Sequence, residues 1–255
     1  ITNVEEVTVV IATKAMTLIM GAQSSEAGIN TVTLGTGINA ITVGSGHTAA
    51  LTVSQTGAGT DTIDASAFTG VLTVTTLDSA QVGDTITGGT GTSDTLNLTL
   101  TNGHIGVTGD FDTITKFETL TTVGNVATNT IVTHDTTIDS GKTLTVDATS
   151  MTTGALTFSA AAEQDGFISM TVGGTGAHSI TLGNAADTLT STSTGNVTVT
   201  ATAGANTITT GTGADLITLG SGNDTVTSGA GNDTISVATA SLTTDDTING
   251  GDGTD

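Results

Sequence analysis

Three aspartates, Asp215, Asp224 and Asp233, stand nine residues apart. Each belongs to a nine-residue unit with Gly at positions 2 and 4, Asp at position 6 and Ile or Val at position 8. Glycine accepts the positive φ angles of a tight turn and lets the backbone curl so that its carbonyl oxygens point inward. Aspartate and carbonyl oxygens gathered on one turn are the donors that a hard cation prefers.

The last three residues of each unit alternate outward, inward and outward, as in a short strand with one side chain in a core. Two units would form one coil, so that units two apart stack on the same edge. Asp215 would then lie roughly 4.8 Å from Asp233, and the two carboxylates would repel each other. A cation with about six to eight oxygen ligands reverses that repulsion, and Ca²⁺ suits such a cage better than Mg²⁺.

The register of nine extends upstream to Gly173 and downstream to Asp255, with one inserted residue at Ser191 and a longer insertion before Asp246. It predicts two edges, each formed by the position-6 residues of alternate units. One edge carries His178, Val197, Asp215, Asp233 and Asp255, and the other carries Asp187, Asn206, Asp224 and Asp246.

The run from 173 to 255 resembles the β-roll of RTX proteins, whose nonapeptide has this pattern. The resemblance implies that Ca²⁺ ions lie between stacked turns, held by Asp carboxylates and turn carbonyls. One site would use Asp215 and Asp233 with the carbonyls of Thr210, Thr212, Gly229 and Gly231. A second would use Asp233 and Asp255 with Ser228, Ala230, Gly251 and Gly253. On the other edge Asp224 would pair with Asn206 and with Asp246, and Asp187 is a further candidate.

Three aspartates outside that run are also candidate ligands. Asp61 lies in a complete unit, Thr56–Asp64, that has no evident partner two units further on. Asp84 and Asp94 follow shorter or wider glycine turns. The alternative for all three is an ordinary turn aspartate whose side chain bonds its own backbone.

The composition excludes several functions. The chain has 24 acidic and only three basic residues, so it does not bind nucleic acid by neutralising phosphates. It has no cysteine, and no apolar run is long enough to span a membrane. The four histidines are scattered over turns and are interpreted as surface residues. With no H-E-x-x-H, G-x-S-x-G or P-loop pattern, we expect no enzymatic activity.

These patterns predict an all-β fold, a right-handed parallel β-solenoid or RTX β-roll. Repeats above the nine-residue level suggest three segments: 1–87 as the end of a preceding module, 88–172 as a β-rich module and 173–255 as the calcium-binding roll. For example, Gly88–Asp94 is similar to Gly250–Asp255. The order of these modules resembles RTX-containing bacterial surface-layer proteins.

That resemblance implies a secreted structural protein, exported by type I secretion, that binds several Ca²⁺ ions and self-associates into a surface lattice. Cell-surface polysaccharide would bind another part of the chain. The alternatives are the extender stalk of an RTX adhesin and the accessory roll of a larger toxin or enzyme. An ice-binding solenoid would need a flat, regular row of Thr and Asn at turn positions 3 and 5, and because position 3 is irregular here we do not expect this function.

Overall fold

A computed structural model describes residues 6–9, 15–57, 59–77, 83–101, 111–124, 127–238 and 240–255. Its strands all pair in parallel, and consecutive strands along the chain alternate between two opposite faces. This is the predicted parallel β-solenoid, in which each coil contributes one strand to each face.

One face is a continuous sheet of twelve strands. In order of pairing they are β1 (Glu6–Val9), β3 (Thr31–Leu34), β5 (Leu51–Gln55), β7 (Leu72–Leu77), β9 (Thr95–Thr99), β11 (Thr119–Val123), β13 (Thr143–Ala148), β15 (Phe167–Val172), β17 (Thr188–Ser191), β19 (Thr207–Thr209), β21 (Thr225–Thr227) and β23 (Thr247–Asn249).

The opposite face consists of two sheets. The five-stranded one contains β2 (Met16–Met20), β4 (Asn39–Val43), β6 (Thr62–Asp64), β8 (Thr85–Thr87) and β10 (Ile114–Thr115). The six-stranded one contains β12 (Thr128–Val132), β14 (Ala155–Ser159), β16 (His178–Thr181), β18 (Val197–Ala201), β20 (Leu216–Leu219) and β22 (Thr234–Val237).

The core lies between the two faces and is built from branched apolar side chains at alternate strand positions. Val32, Val53 and Val74 occupy the same register position on successive strands and are fully buried. Burying one such side chain contributes about 1.5–3 kcal/mol. Their neighbours on either side are mostly Thr, which favours strands and keeps a hydroxyl on the outer face.

Turns connect the two faces along two edges, which we name by chain direction. The first edge contains the turns that lead from the twelve-stranded sheet to the opposite face. The second edge contains the turns that lead back. A five-residue helix, α1 (Ala22–Glu26), lies on the second edge, and none of the described helical residues forms a segment able to span a bilayer.

The twelve-stranded sheet passes through all three of the segments predicted from the repeats. The opposite face is interrupted between β10 and β12, within the segment 88–172. The division into three segments remains a prediction.

Candidate metal centre

The position-6 residues stack on the two predicted edges. On the first edge, His178 pairs with Val197, and the aspartates Asp215, Asp233 and Asp255 follow one coil apart. On the second edge, Asp187, Asn206, Asp224 and Asp246 follow one another in the same way. The assignment of these residues to two edges is therefore confirmed.

Each stacked aspartate uses Oδ1 to bind the preceding coil. Asp233 Oδ1 accepts the backbone N–H of Asp215 at 2.8 Å, and Asp215 Oδ1 accepts that of Val197 at 2.7 Å. These N–H groups stand where a strand begins and where the turn geometry leaves them unpaired. The aspartate thus satisfies a buried backbone donor, which would otherwise cost about 1–3 kcal/mol.

The second carboxylate oxygen, Oδ2, of Asp215 and of Asp233 is not used to bind the preceding coil. Both Oδ2 atoms are buried and have no hydrogen-bond partner among the described residues. The two residues are only 2% and 3% exposed. Burial is the main cause that raises the pKa of Asp215, and the charge of Asp233 adds to it, while the Thr210 hydroxyl and the N–H groups of Val197 and Gly211 act in the opposite direction. Two buried carboxylate oxygens of like charge that lack a hydrogen-bond partner are suited to a cation.

The surrounding turns bring backbone oxygens to the same edge. Gly229 and Gly231 have φ angles of 92° and 141°, which a residue with a side chain rarely adopts. A Cβ atom on either would overlap the carbonyl of Gly211 or Gly213 in the preceding coil. The turns of successive coils, with their carbonyl oxygens, are therefore stacked closely on this edge. The predicted ligand Gly229 O also accepts the Asp252 N–H at 2.8 Å.

The next turn completes the first edge. Asp255 Oδ1 accepts the Asp233 N–H at 3.0 Å, although Asp255 itself is exposed. Ala230 pairs with Asp252 in a parallel bridge, and Ser228 Oγ donates to Gly250 O at 2.7 Å. The predicted second site, with Gly251 and Gly253, is therefore assembled in register but is more open than the first.

On the second edge an amide group lies where a cation would otherwise be expected. Asn206 Nδ2 donates to the carbonyl oxygens of Ala203 and Gly204 and to Asp224 Oδ1, at 2.9–3.1 Å. Asp187 Oδ1 accepts the Ile168 N–H. Its Oδ2 accepts an N–H from its own turn. On the second edge, neutral N–H groups therefore bond the carboxylate and carbonyl oxygens of the turns. At Asp215 and Asp233 on the first edge, we expect Ca²⁺ to bind the corresponding oxygens.

At Asp246, Oδ1 accepts the Asp224 N–H at 2.8 Å and Oδ2 accepts the Thr243 N–H at 2.7 Å. These bonds hold the pKa of Asp246 below its usual value. The insertion before Asp246 thus supplies a donor for its second oxygen.

Asp61 has a partner that sequence spacing did not reveal. Asp84 lies one coil further along the first edge, and its Oδ1 accepts the Asp61 N–H at 2.7 Å. The Gln55 side chain lies between them, and its Nε2 donates to Asp61 Oδ2 at 3.1 Å and to Asp84 Oδ2 at 2.6 Å. Burial is the main cause that raises the pKa of Asp84 to about 6.

Asp94 is held by backbone donors on both oxygens. Oδ1 accepts the Leu72 N–H at 2.8 Å and Oδ2 accepts the Gly89 N–H at 2.5 Å. The Asp94 N–H in turn donates to Glu118 Oε2 at 2.8 Å. Glu118 therefore takes the place of a position-6 aspartate, and neither it nor Gln55 stood out in the sequence.

The interpretation of the histidines as surface residues is wrong for two of them. His47 and His178 are buried, with 0% and 2% exposure. His178 Nδ1 accepts the Leu156 N–H at 3.2 Å, and its Nε2 bonds Gly173 O at 3.0 Å. Its side chain therefore bonds the preceding coil, as the stacked aspartates do. His134 is half exposed and contacts Asp112, while His104 lies outside the described residues.

Comparison with known proteins agrees with this geometry. A family model for the RTX calcium-binding nonapeptide repeat, in four copies, matches residues 200–235. Searches of curated proteins and of solved structures gave no significant match. RTX nonapeptide repeats bind Ca²⁺, and proteins that contain them are typically secreted. Residues 200–235 of this parallel β-solenoid therefore consist of RTX-type calcium-binding nonapeptide repeats.

Proposed function

We propose that this chain is a non-enzymatic structural part of a secreted bacterial surface protein, ordered by Ca²⁺ and assembled side by side into a surface-layer lattice. The observation that carries the proposal is the pair of buried, unpartnered Oδ2 atoms of Asp215 and Asp233. Without a cation they repel each other across stacked coils. With one they hold the coils together.

Calcium concentration would then control where the chain folds. Extracellular calcium-binding modules have dissociation constants of about 10⁻⁴–10⁻³ M, far above cytosolic calcium. The acidic edge would stay loose before export, which suits a type I route, and become ordered outside the cell. Several ions would bind along the first edge.

The outer surface supports association between copies. The chain has a net charge of −21 and three basic residues, so that copies repel unless divalent cations neutralise them. The described residues include exposed large apolar side chains on the outside: Ile19, Ile38, Val71, Val123, Leu216, Leu242 and Ile248. Attachment to cell-surface polysaccharide would reside in another part of the protein.

Calcium titration of the whole chain tests the proposal. Circular dichroism measures folding, light scattering measures assembly, and electron microscopy of the calcium-saturated protein shows the form of any assembly. We expect Ca²⁺ to increase β-structure first and to produce two-dimensional sheets at higher protein concentration. The double variant D215N/D233N should need more Ca²⁺ for both steps, whereas D252N, which removes an exposed charge from the next turn, should behave as the wild type.

The outcomes separate the alternatives. A chain that folds with Ca²⁺ but stays monomeric would overturn the lattice and favour the extender stalk of an adhesin. Unchanged folding in excess chelator would overturn calcium ordering itself.

A second candidate function, binding to ice, has one specific observation in its favour. The outer face of the twelve-stranded sheet carries two parallel columns of mostly Thr, with neighbours roughly 4.8 Å apart along a column and about 7 Å between columns. One column consists of Thr31, Thr52, Thr73, Thr95, Thr119, Thr145, Ser169, Thr188, Thr207, Thr225 and Thr247. The regular row is thus on the sheet and not at turn position 3.

The second column is less regular, because Asn97, Asp147 and Asn249 interrupt it and Ser54 replaces a further Thr. Thermal hysteresis of the calcium-loaded protein tests this function. T119Y/T145Y should abolish the hysteresis, while T198Y/T200Y on the opposite face should preserve it. Absence of hysteresis in the wild type would exclude ice binding.

A further inference from the structure

A second kind of acidic site lies on the second edge, outside the nonapeptide repeats. Asp135 belongs to the turn between β12 and β13, and Glu163 and Asp165 belong to the turn between β14 and β15. These strands pair with each other, so the two turns are one coil apart. One oxygen from each of the three carboxyl groups lies within 4.8 Å of the other two.

Glu163 is the central residue of this cluster. Its side chain is 0% exposed, and its Oε1 accepts the Gly166 N–H at 2.9 Å. Its Oε2 is buried and has no hydrogen-bond partner in the part of the chain that the structure describes. A glutamate is seldom fully buried without a partner for its charge.

The backbone fixes Glu163 in this place. Its N–H donates to Ala160 O at 2.9 Å, and its carbonyl accepts the Asn184 N–H of the next coil at 3.0 Å. Gly183 stands against the Glu163 side chain, where a Cβ atom would come within 3.2 Å of it. The backbone of Glu163 is therefore held between its own turn and the turn of the next coil.

The other two carboxyl groups form an exposed rim. Asp135 Oδ1 accepts the Gln164 N–H at 3.0 Å, which connects one turn to the next and directs the side chain towards Glu163. Asp165 is exposed, and its carbonyl accepts the Gly141 N–H at 3.0 Å. A buried oxygen below and two solvent-facing carboxylates above leave room for water ligands and an entry path.

We infer that Asp135, Glu163 and Asp165 form a Ca²⁺ site that clamps the β12–β13 coil to the β14–β15 coil. Three carboxylates supply only oxygen donors, which Ca²⁺ accepts and which Zn²⁺ sites usually supplement with nitrogen or sulfur. The adjacent His134 contacts Asp112 through Nε2 at 2.6 Å. Calcium is favoured over Mg²⁺ because it accepts six to eight oxygen ligands in a flexible geometry, which suits carboxylates from two turns, one buried and two exposed.

This site does not depend on the lattice or on the repeats. The turn from Ala160 to Gly166 lacks the glycines of the nonapeptide and lies outside the matched residues 200–235. The site would extend metal ordering to the middle of the solenoid, where the first edge offers no stacked aspartates between Asp84 and Asp215 in the described ranges.

Calcium stoichiometry of the full chain, measured by equilibrium dialysis against ⁴⁵Ca²⁺, tests the inference. The variant D135N/D165N changes only exposed rim residues and should bind one Ca²⁺ fewer than the wild type. D139N removes an exposed charge from the same turn as Asp135 and should retain the wild-type number. E163Q should also bind one Ca²⁺ fewer, because it removes the charge of the buried carboxylate whose Oε2 has no partner among the described residues.

A site-specific readout supports the count. Mn²⁺ added at low concentration should broaden the amide NMR signals of Gln164 and Gly166 in the wild type and in D139N, but not in D135N/D165N. Circular dichroism verifies that each variant is folded. Equal stoichiometry and equal broadening in the wild type and in folded D135N/D165N would overturn the site, whatever D215N/D233N does to the repeats.

Discussion

The backbone N–H of Asp215 donates a hydrogen bond of 2.8 Å to Oδ1 of Asp233, one coil further along the first edge. The other oxygen of the same Asp233 carboxylate is buried and has no partner among the described residues. One carboxylate therefore combines two roles on its two oxygens. Oδ1 joins the coils in the absence of metal, and Oδ2 is available to a cation.

Substitutions of Asp233 should separate these roles. D233N keeps an oxygen that can accept the Asp215 N–H but loses the charge, so it should weaken Ca²⁺ binding and, by removing the repulsion of Asp215, leave the calcium-free stability equal to or above that of the wild type. D233A loses the acceptor as well and should cost about 1–3 kcal/mol of unfolding free energy in chelator. Urea denaturation with EDTA and with Ca²⁺ measures both effects, and D252N is the control. Equal stability of D233N and D233A in EDTA would contradict the role of Oδ1.

The pH dependence of stability should have opposite signs with and without Ca²⁺. Burial raises the pKa of Asp215 above its value in the unfolded chain. In EDTA the folded state therefore binds the proton more tightly, and stability should rise as the pH falls from neutral towards the usual aspartate pKa, about 4. With Ca²⁺ present, protons compete with the ion, so stability should fall over the same range.

Thermal unfolding at a series of pH values, with and without Ca²⁺, measures these slopes. Other buried carboxyl groups contribute to the slope in EDTA, so the comparison with D215N isolates the part due to Asp215. A D215N slope identical to that of the wild type in both media would refute the assignment.

How far the sequence predicts the site depends on whether the repeat is regular. From Gly173 onward two nine-residue units make a coil, apart from one inserted residue at Ser191 and a longer insertion before Asp246. A spacing of 18 residues therefore predicts that Asp233 stacks on Asp215, as the structure shows. Asp61 and Asp84 are 23 residues apart because their coil has a longer turn, so the spacing rule misses the pair. A fixed period can be followed in the sequence, whereas a coil of variable length shows its register only in the structure.

The residues that substitute for a cation are harder to foresee. Asn206 and Gln55 are ordinary polar residues in sequence, and only the stacking of coils shows their amide groups between acceptors of neighbouring turns. Buried His178 has the same kind of role. Polar residues of these types usually lie at the surface. Here the unpaired N–H and carbonyl groups of the turns create buried positions in which a polar side chain forms hydrogen bonds.

Asp84 offers a test of the amide bridge. It is fully buried, and its raised pKa of about 6 means that ionising it at neutral pH destabilises the folded chain. D84N should therefore increase stability at pH 7 in EDTA, by up to about 3 kcal/mol. Gln55 Oε1 is buried without a partner in the described structure, so a rotated Gln55 amide can accept a hydrogen bond from the new side chain.

The gain from D84N should shrink as the pH falls below about 6 and disappear below the usual aspartate pKa of about 4, where wild-type Asp84 is protonated in both the folded and the unfolded chain. Urea denaturation at both pH values measures it. A D84N variant that is no more stable than the wild type at pH 7 would contradict the raised pKa. Repeating the experiment with Ca²⁺ tests whether Asp61 and Asp84 bind the ion, since D84N would then lose a stabilisation that the wild type gains.

Close stacking of the turns should make Gly220 intolerant of any side chain. A Cβ atom there would overlap the backbone carbonyl of Thr202 in the preceding coil, and the backbone cannot yield as a flexible side chain would. We expect G220A to cost roughly 2–4 kcal/mol of unfolding free energy, with or without Ca²⁺. G21A is the matched control, because a Cβ atom at Gly21 meets no heavy atom within 4 Å. Since metal can stabilise only turns that already stack, G220A should also raise the Ca²⁺ concentration needed for folding. If G220A folds at the same Ca²⁺ concentration as the wild type, the coils are further apart than this packing requires.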